Sequence, residues 1–178
     1  MDKLDKTASD LKKFIRDVPD FPKKGILFRD ITPLLAHKPA FAKVIDTLTK
    51  MYKPKGVTKV VAIESRGFIF GAPVALNLGA GFVPCRKKGK LPYKTYAMEY
   101  ALEYGTDTVE IHQDAIRPGD KVLLVDDLIA TGGTALATLD LVKRIGGDIV
   151  GAAFVIELEF LRGREKLAEY PTFSLIKY

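Results

Sequence analysis

Residues 122–134 read VLLVDDLIATGGT, and each part of that string has a chemical use. An apolar run, Val122 to Val125, leads into two adjacent carboxylates, Asp126 and Asp127. A small turn follows, Ala130, Thr131, Gly132, Gly133 and Thr134, ahead of a helix-competent segment at 135–145. Such a turn offers several backbone N–H groups and two hydroxyls at a helix N-terminus, which suits a phosphate. Two acids beside a phosphate cradle need a second partner, such as ribose hydroxyls or a metal. The combination suits a ribose 5-phosphate. An ordinary buried strand and turn is the bland alternative, but capping needs only one acid and no double glycine. The lysine and spacing of G-x-x-x-x-G-K-S/T are missing, as is G-x-G-x-x-G, so neither a P-loop nor a dinucleotide site has support.

Two other stretches carry charge at the ends of apolar runs. Glu64, Ser65, Arg66 and Gly67 follow the run at 59–63. A guanidinium there can grip a pyrophosphate bidentately, and a glycine lets a backbone amide approach it closely. Arg66 also has a structural reading as a partner of Glu64. Arg86, Lys87 and Lys90 follow the run at 82–86, and a solvated basic turn is the alternative there.

The elements that must position these groups alternate between strand and helix. Leu4, Ala8, Leu11, Ile15 and Val18 fall on one helical face, broken by Pro19 and Pro22. Residues 20–30 read as an ordered loop with a short extended piece. Phe41, Val44, Ile45, Leu48 and Tyr52 mark a second helix, stopped by Pro54 and Gly56. Strands are expected at 59–63, 82–86, 122–125, 149–156 and 173–176, with helices at 68–78 (despite Pro73), 135–145 and about 164–169. Residues 87–113 read as a long excursion, a flexible β-ribbon. The unbroken apolar run at 122–125 implies burial on both faces. The expected fold is therefore α/β, a mostly parallel sheet flanked by helices. In such sheets ligands bind beyond the carboxyl ends of the strands.

The 178 residues suit one domain. An N-terminal hood occupies about residues 1–35 and the ribbon arm about 87–113. Hydrophobic residues make up 47% and charged ones 28%, ordinary for a globular protein. No apolar run approaches the ~18 residues of a membrane span, and the first residues lack a signal-peptide core. Cys85 is the lone cysteine, so cytoplasm is the default. The net charge of +6 fits either a nucleic-acid binder or an enzyme of anionic phosphates. The basic residues are dispersed, which argues against nucleic acid. His37 and His112 are isolated, so a transition-metal site is not expected.

The 122–134 stretch resembles the phosphoribosyl-pyrophosphate (PRPP) motif of the type I phosphoribosyltransferases. Three further segments, FPKKGILFRD at 21–30, ESRGF at 64–68, and RKKGKLP at 86–92 with LEYG at 102–105, are similar to the adenine branch of that family. The resemblance implies transfer of phosphoribose from PRPP to adenine, giving AMP and pyrophosphate in purine salvage. It implies that Asp126, Asp127 and Ala130 to Thr134 hold the ribose and 5-phosphate. Ser65, Arg66, Gly67, Arg86, Lys87 and Lys90 would hold pyrophosphate. Phe28 would stack on the purine with Leu128 opposite, while backbone groups near Leu27 and Arg29 read its amine edge; a core role for Phe28 is the alternative. Enzymes for 6-oxopurines carry an aspartate where this chain has Ala130. The resemblance then supplies Glu103, beside Tyr104 in the arm, as the acid–base group, although Glu103 also fits a solvated loop acid. Mg²⁺ is expected to arrive with PRPP near Asp126 and Asp127, without a protein-only site. A homodimer is implied too. A transferase for xanthine or guanine, or a PRPP-sensing regulator, are the competing readings.

Overall fold

The computed structural model describes residues 3–101 and 105–178. Five parallel strands form its centre: β3 (Lys59–Ile63), β4 (Gly81–Lys87), β7 (Lys121–Ile129), β8 (Asp148–Glu157) and β9 (Thr172–Lys177). Two antiparallel strands, β5 (Thr95–Ala101) and β6 (Thr106–His112), extend one edge. The strand order is β5-β6-β4-β3-β7-β8-β9. This is the α/β, mostly parallel sheet expected from the sequence.

Its centre reads as continuous apolar sequence because both faces are covered. Val60, Leu123 and Val125 point toward α3 (Lys38–Tyr52) and α4 (Arg66–Leu78). Val61, Val122 and Leu124 point the other way, toward α5 (Gly133–Ile145). Thus α4, the crossover from β3 to β4, and α5, the crossover from β7 to β8, lie on opposite faces.

The hood departs from the sequence reading. Its helix, α1 (Lys3–Lys12), stops before Ile15 and Val18. Turn hydrogen bonds from the Phe14 and Ile15 amides to Leu11 and Lys12 end it. Residues Arg16–Pro19 instead form β1, antiparallel to β2 (Leu27–Asp30), with Val18 opposite Phe28. β-Branched Val18 before Pro19 favours extended backbone, so a pairing partner wins over one more helical turn. A short helix, α2 (Thr32–Ala36), had not been expected. Asp30 prepares it by accepting from the Thr32 amide at 2.9 Å and its hydroxyl at 2.8 Å, and Leu34 is fully buried.

The excursion at 87–113 is a β-ribbon, but its base belongs to the sheet. β6 pairs with β4 through Arg86↔Glu110 and Lys87↔Val109, and Val109 and Ile111 are core residues. The expected helix near residue 164 is a 3₁₀ turn, Gly163–Leu167.

Helix α4 lies close on the sheet because two glycines one turn apart face it. A methyl at Gly71 would sit 2.5 Å from Ala62 Cβ, and one at Gly67 would sit 2.7 Å from Asp126 Oδ1. Gly71→Ala should therefore destabilise the fold by about 1–3 kcal/mol, as overpacking typically does. Urea unfolding checks this, and an unchanged midpoint would mean that helix and strand can part freely.

Candidate active site

Between β3 and β7 the sheet reverses the direction in which strands are added. Chain order runs outward from β3 to β4 on one side and from β7 to β8 and β9 on the other. That reversal opens a crevice at the carboxyl ends of the two strands, the usual ligand position in open α/β sheets. β3 accompanies β7 only as far as Ala62↔Val125, whereas β8 continues alongside to Ile129↔Glu157. Asp126 and Asp127 thus lie inside β7, not at its end, where β7 has lost one neighbour.

A cleft of about 350 Å³ occupies this position. Arg66, Arg86, Lys87, Asp126, Asp127, Leu128 and the whole turn from Ala130 to Thr134 line it. The two charged ends of the sequence reading therefore meet in one cavity.

On the β7 side, the Asp127 side chain is buried and receives Arg66 Nε at 2.5 Å. The Asp127 amide donates to Asp126 Oδ1 at 2.8 Å. Burial, and next the neighbouring Asp127 charge, push the Asp126 carboxyl well above the usual carboxylate range. Gly132 opens α5 in a left-handed conformation, φ +75°. Its backbone packs on Gly163 so closely that a methyl on Gly163 would come 2.1 Å from the Ala130 oxygen. Gly163 thus forms the back wall of the phosphate turn. The Arg164 guanidinium anchors that wall to buried Glu157 at 2.8 and 2.5 Å and to the Thr172 carbonyl at 2.6 Å.

On the β3 and β4 side, Glu64 organises the cations. Arg86 Nε approaches it at 2.6 Å, Lys90 Nζ at 2.9 Å and the Lys87 amide at 3.1 Å. Burial would raise the Glu64 carboxyl, but the hydrogen bonds from Lys90, Arg86 and Lys87 outweigh it and hold it below the ordinary value. Arg66 is thus not the partner of Glu64, because Asp127 takes its guanidinium. Gly67 lies buried in the first turn of α4 against Asp126 and Val125, where the strand leaves no room for a side chain. Ser65 caps that helix without a side-chain hydrogen bond, and Lys90 meets the site through Glu64 and through its own carbonyl, which accepts from Arg86 Nη1 at 3.0 Å.

Phe28, Leu27 and Arg29 sit on β2 beside the cleft. Phe28 is half-buried, belongs to neither core, and has the Arg66 guanidinium 5.6 Å from its ring centre. The Arg29 side chain is engaged by Asp17 and lies 3.8 Å over the Tyr178 ring. Leu128 lines the cleft while packing on the core. Glu103 and Tyr104 lie outside the described residues. The sequence reading missed Gly163, Tyr100 and Asp107, all brought in by tertiary packing, and it missed the role of Glu64. The one local signal was a carboxylate directly after a buried strand.

A phosphate turn and an acidic pair facing a basic cluster across the switch crevice define a class of phosphoribosyl-transferring proteins. The phosphoribosyl transferase domain model matches residues 31–175. Adenine phosphoribosyltransferase of a Synechococcus species is 59% identical over 169 residues, covering 95% of this chain and 99% of its own. The Thermotoga maritima enzyme of that name is 56% identical, covering 95% and 98%. The crystal structure of adenine phosphoribosyltransferase from Rhodothermus marinus superposes with a TM-score of 0.93 at 55% identity, covering 98% and 99%. That from Saccharomyces cerevisiae, complexed with adenine and an imino-altritol bisphosphate, gives 0.92 at 42%, covering 97% and 99%. This chain belongs to the adenine phosphoribosyltransferase family.

The raised Asp126 carboxyl has a consequence for stability. The folded chain keeps that proton at pH values where the unfolded chain, near 3.8, has released it. Stability therefore falls as pH rises from about 4 through the folded value, and the loss persists at neutral pH. Asp126→Asn should raise Tm at pH 7 by roughly 2–4 °C for each kcal/mol relieved. The gain should vanish near pH 3. A lower Tm at pH 7 would show that the carboxylate is favourably placed in the folded state.

Proposed function

We infer that this chain transfers the 5-phosphoribosyl group of PRPP to N9 of adenine, releasing pyrophosphate and forming AMP for purine salvage. One observation carries this reading: the acidic pair and phosphate turn share a single cleft with the cations that follow β3 and β4. PRPP has its 5-phosphate and its pyrophosphate on opposite sides of a ribose, and this cleft offers matching groups in that order. The relatives' names support adenine as the base.

In this reading the Ala130–Thr134 turn takes the 5-phosphate with backbone N–H groups at the start of α5. Asp126 and Asp127 accept from the ribose hydroxyls. Arg66 and Arg86 turn from their carboxylate partners onto the pyrophosphate, and Lys87 adds a donor to it from beside Asp107; the pyrophosphate leaves as charge builds on the sugar in an oxocarbenium-like state. Magnesium enters as part of the PRPP substrate. It needs six oxygens, and the acid pair offers at most two side chains, one already engaged by Arg66. Bound to PRPP, it offsets charge on the leaving group.

Adenine stacks on Phe28, and its amine edge meets the backbone of β2. That strand has β1 as its one strand partner among the described residues, so its other backbone edge is open to a ligand. Ala130 cannot exchange a proton with purine N7, so Glu103 takes that work. We further propose a cytoplasmic homodimer. No helix among the described residues is long and apolar enough to cross a membrane. On α4, Leu76 is 81% exposed with Ile69 two turns away on the same face, and Phe82 lies alongside, a surface suited to a second copy.

An assay of pyrophosphate release from PRPP with each purine base tests the function. Adenine should exceed hypoxanthine and guanine strongly, by up to ~10⁴-fold, because an oxo group leaves the amine-reading acceptors unpaired. Comparable turnover of hypoxanthine would move the chain to another branch of the superfamily. The role of Glu103 has its own test. Glu103→Gln should lower kcat by about 10²–10⁴-fold while leaving PRPP affinity nearly intact. Near-normal kcat with chemistry rate-limiting would send the proton through water or another residue.

A further inference from the structure

One carboxylate in the cleft belongs to neither the acidic pair nor the Glu64 cluster. Asp107 stands on β6 directly opposite Tyr100 on β5, and both side chains line the cavity. Asp107 Oδ2 receives Lys87 Nζ at 3.0 Å and the Tyr100 hydroxyl at 3.3 Å, while Oδ1 receives the Thr108 amide at 2.8 Å. Lys87 is on the pyrophosphate side of the cleft. Tyr100 is on the phosphate-turn side. A methyl on Gly133, in the first turn of α5, would lie 3.6 Å from both the Tyr100 ring and the Ala101 carbonyl. A continuous path therefore runs from Lys87 through Asp107 and Tyr100 to the first turn of α5.

This path has little to offer as plain stabilisation. The Lys87 side chain is 59% exposed, and exposed ion pairs add little to folding. Its geometry has a different use: it fixes the distance between the groups that meet the two ends of PRPP. Lysine has three N–H donors, so Lys87 can keep Asp107 and still bind a phosphate oxygen.

We propose that Asp107 is a positioning residue that sets the spacing between the pyrophosphate and 5-phosphate subsites, acting through Lys87 and Tyr100. This rests on the PRPP reading above. A ligand that engages both subsites gains from a fixed spacing, because the second contact then costs little further ordering. A ligand that engages one subsite gains nothing from it.

The experiment measures binding by calorimetry for magnesium PRPP, for pyrophosphate with magnesium, and for AMP, in the wild type, Asp107→Asn, Tyr100→Phe and the double variant. Asp107→Asn should weaken PRPP by about 10- to 100-fold, the scale of a hydrogen bond to a charged group. Pyrophosphate and AMP should each change by less than about threefold. Tyr100→Phe should also weaken PRPP selectively, and the double variant should be no worse than Asp107→Asn, since both cut one path. Equal weakening of all three ligands, additive losses in the double variant, or unchanged PRPP affinity would each overturn the proposal. A lower Tm with all affinities intact would overturn it too, leaving Asp107 a structural residue. Should the wild type itself fail to bind PRPP, the functional reading falls first, and that result is distinct from a uniform loss in the variants.

Discussion

The reversal of strand order between β3 and β7 places two loops, from opposite faces of the sheet, at the mouth of one crevice. Helix α4 leaves on one face and α5 on the other, so the two helix N-termini converge there. The acidic pair, Arg66 and the phosphate turn owe their meeting to that convergence. Arg66 comes with the start of α4, Gly133 and Thr134 with the start of α5, and Asp126 and Asp127 with the stretch of β7 that β3 no longer covers. A different strand order would scatter the same residues along the sheet edge.

Concentrating charge in this way requires compensation, and the cations that follow β3 and β4 and line or flank the cleft rest on carboxylates. Arg66 rests on Asp127, Arg86 and Lys90 on Glu64, and Lys87 on Asp107. These pairs hold guanidinium and ammonium groups near where an anion would bind, which lowers the ordering cost of binding. They also mean that a phosphate must compete with a carboxylate for Arg66 and Arg86. Asp126 is the exception. It sits against a like charge with burial added, and its carboxyl is raised accordingly. Such stored repulsion is common where a site is organised for a ligand and not for its own stability.

Backbone packing sets the finer geometry. Around the site a side chain is excluded where another backbone or side chain already occupies its volume, as for Gly67 against Asp126, Gly71 against Ala62, and Gly163 against Ala130. The first two seat α4 low on the sheet, and the third supports the phosphate turn from behind. Arg164 then ties that support into β8 and β9 through Glu157 and Thr172. The phosphate turn is therefore braced by residues more than thirty positions downstream, which no local pattern announces.

The local sequence was sufficient wherever one chemical unit lies within one stretch of chain. The acidic pair, the phosphate turn, the central strands and the helices α3, α4 and α5 are legible in this sense, because hydrophobic period, glycine placement and paired acids act over a few residues. The hood helix is shorter than its apolar spacing implies because β2, ten residues on, offers Val18 a strand partner, and Ile15 enters the core without a further helical turn. Partner choice likewise escaped the sequence. Arg66 chose Asp127 over adjacent Glu64, Glu64 gathered Arg86 and Lys90, and Asp107 joined Lys87 to Tyr100. Sequence determines which charges exist and which elements carry them. Only the fold decides which charges meet, since Coulomb and hydrogen-bond energies depend on separations of a few ångströms that strand order and helix seating create.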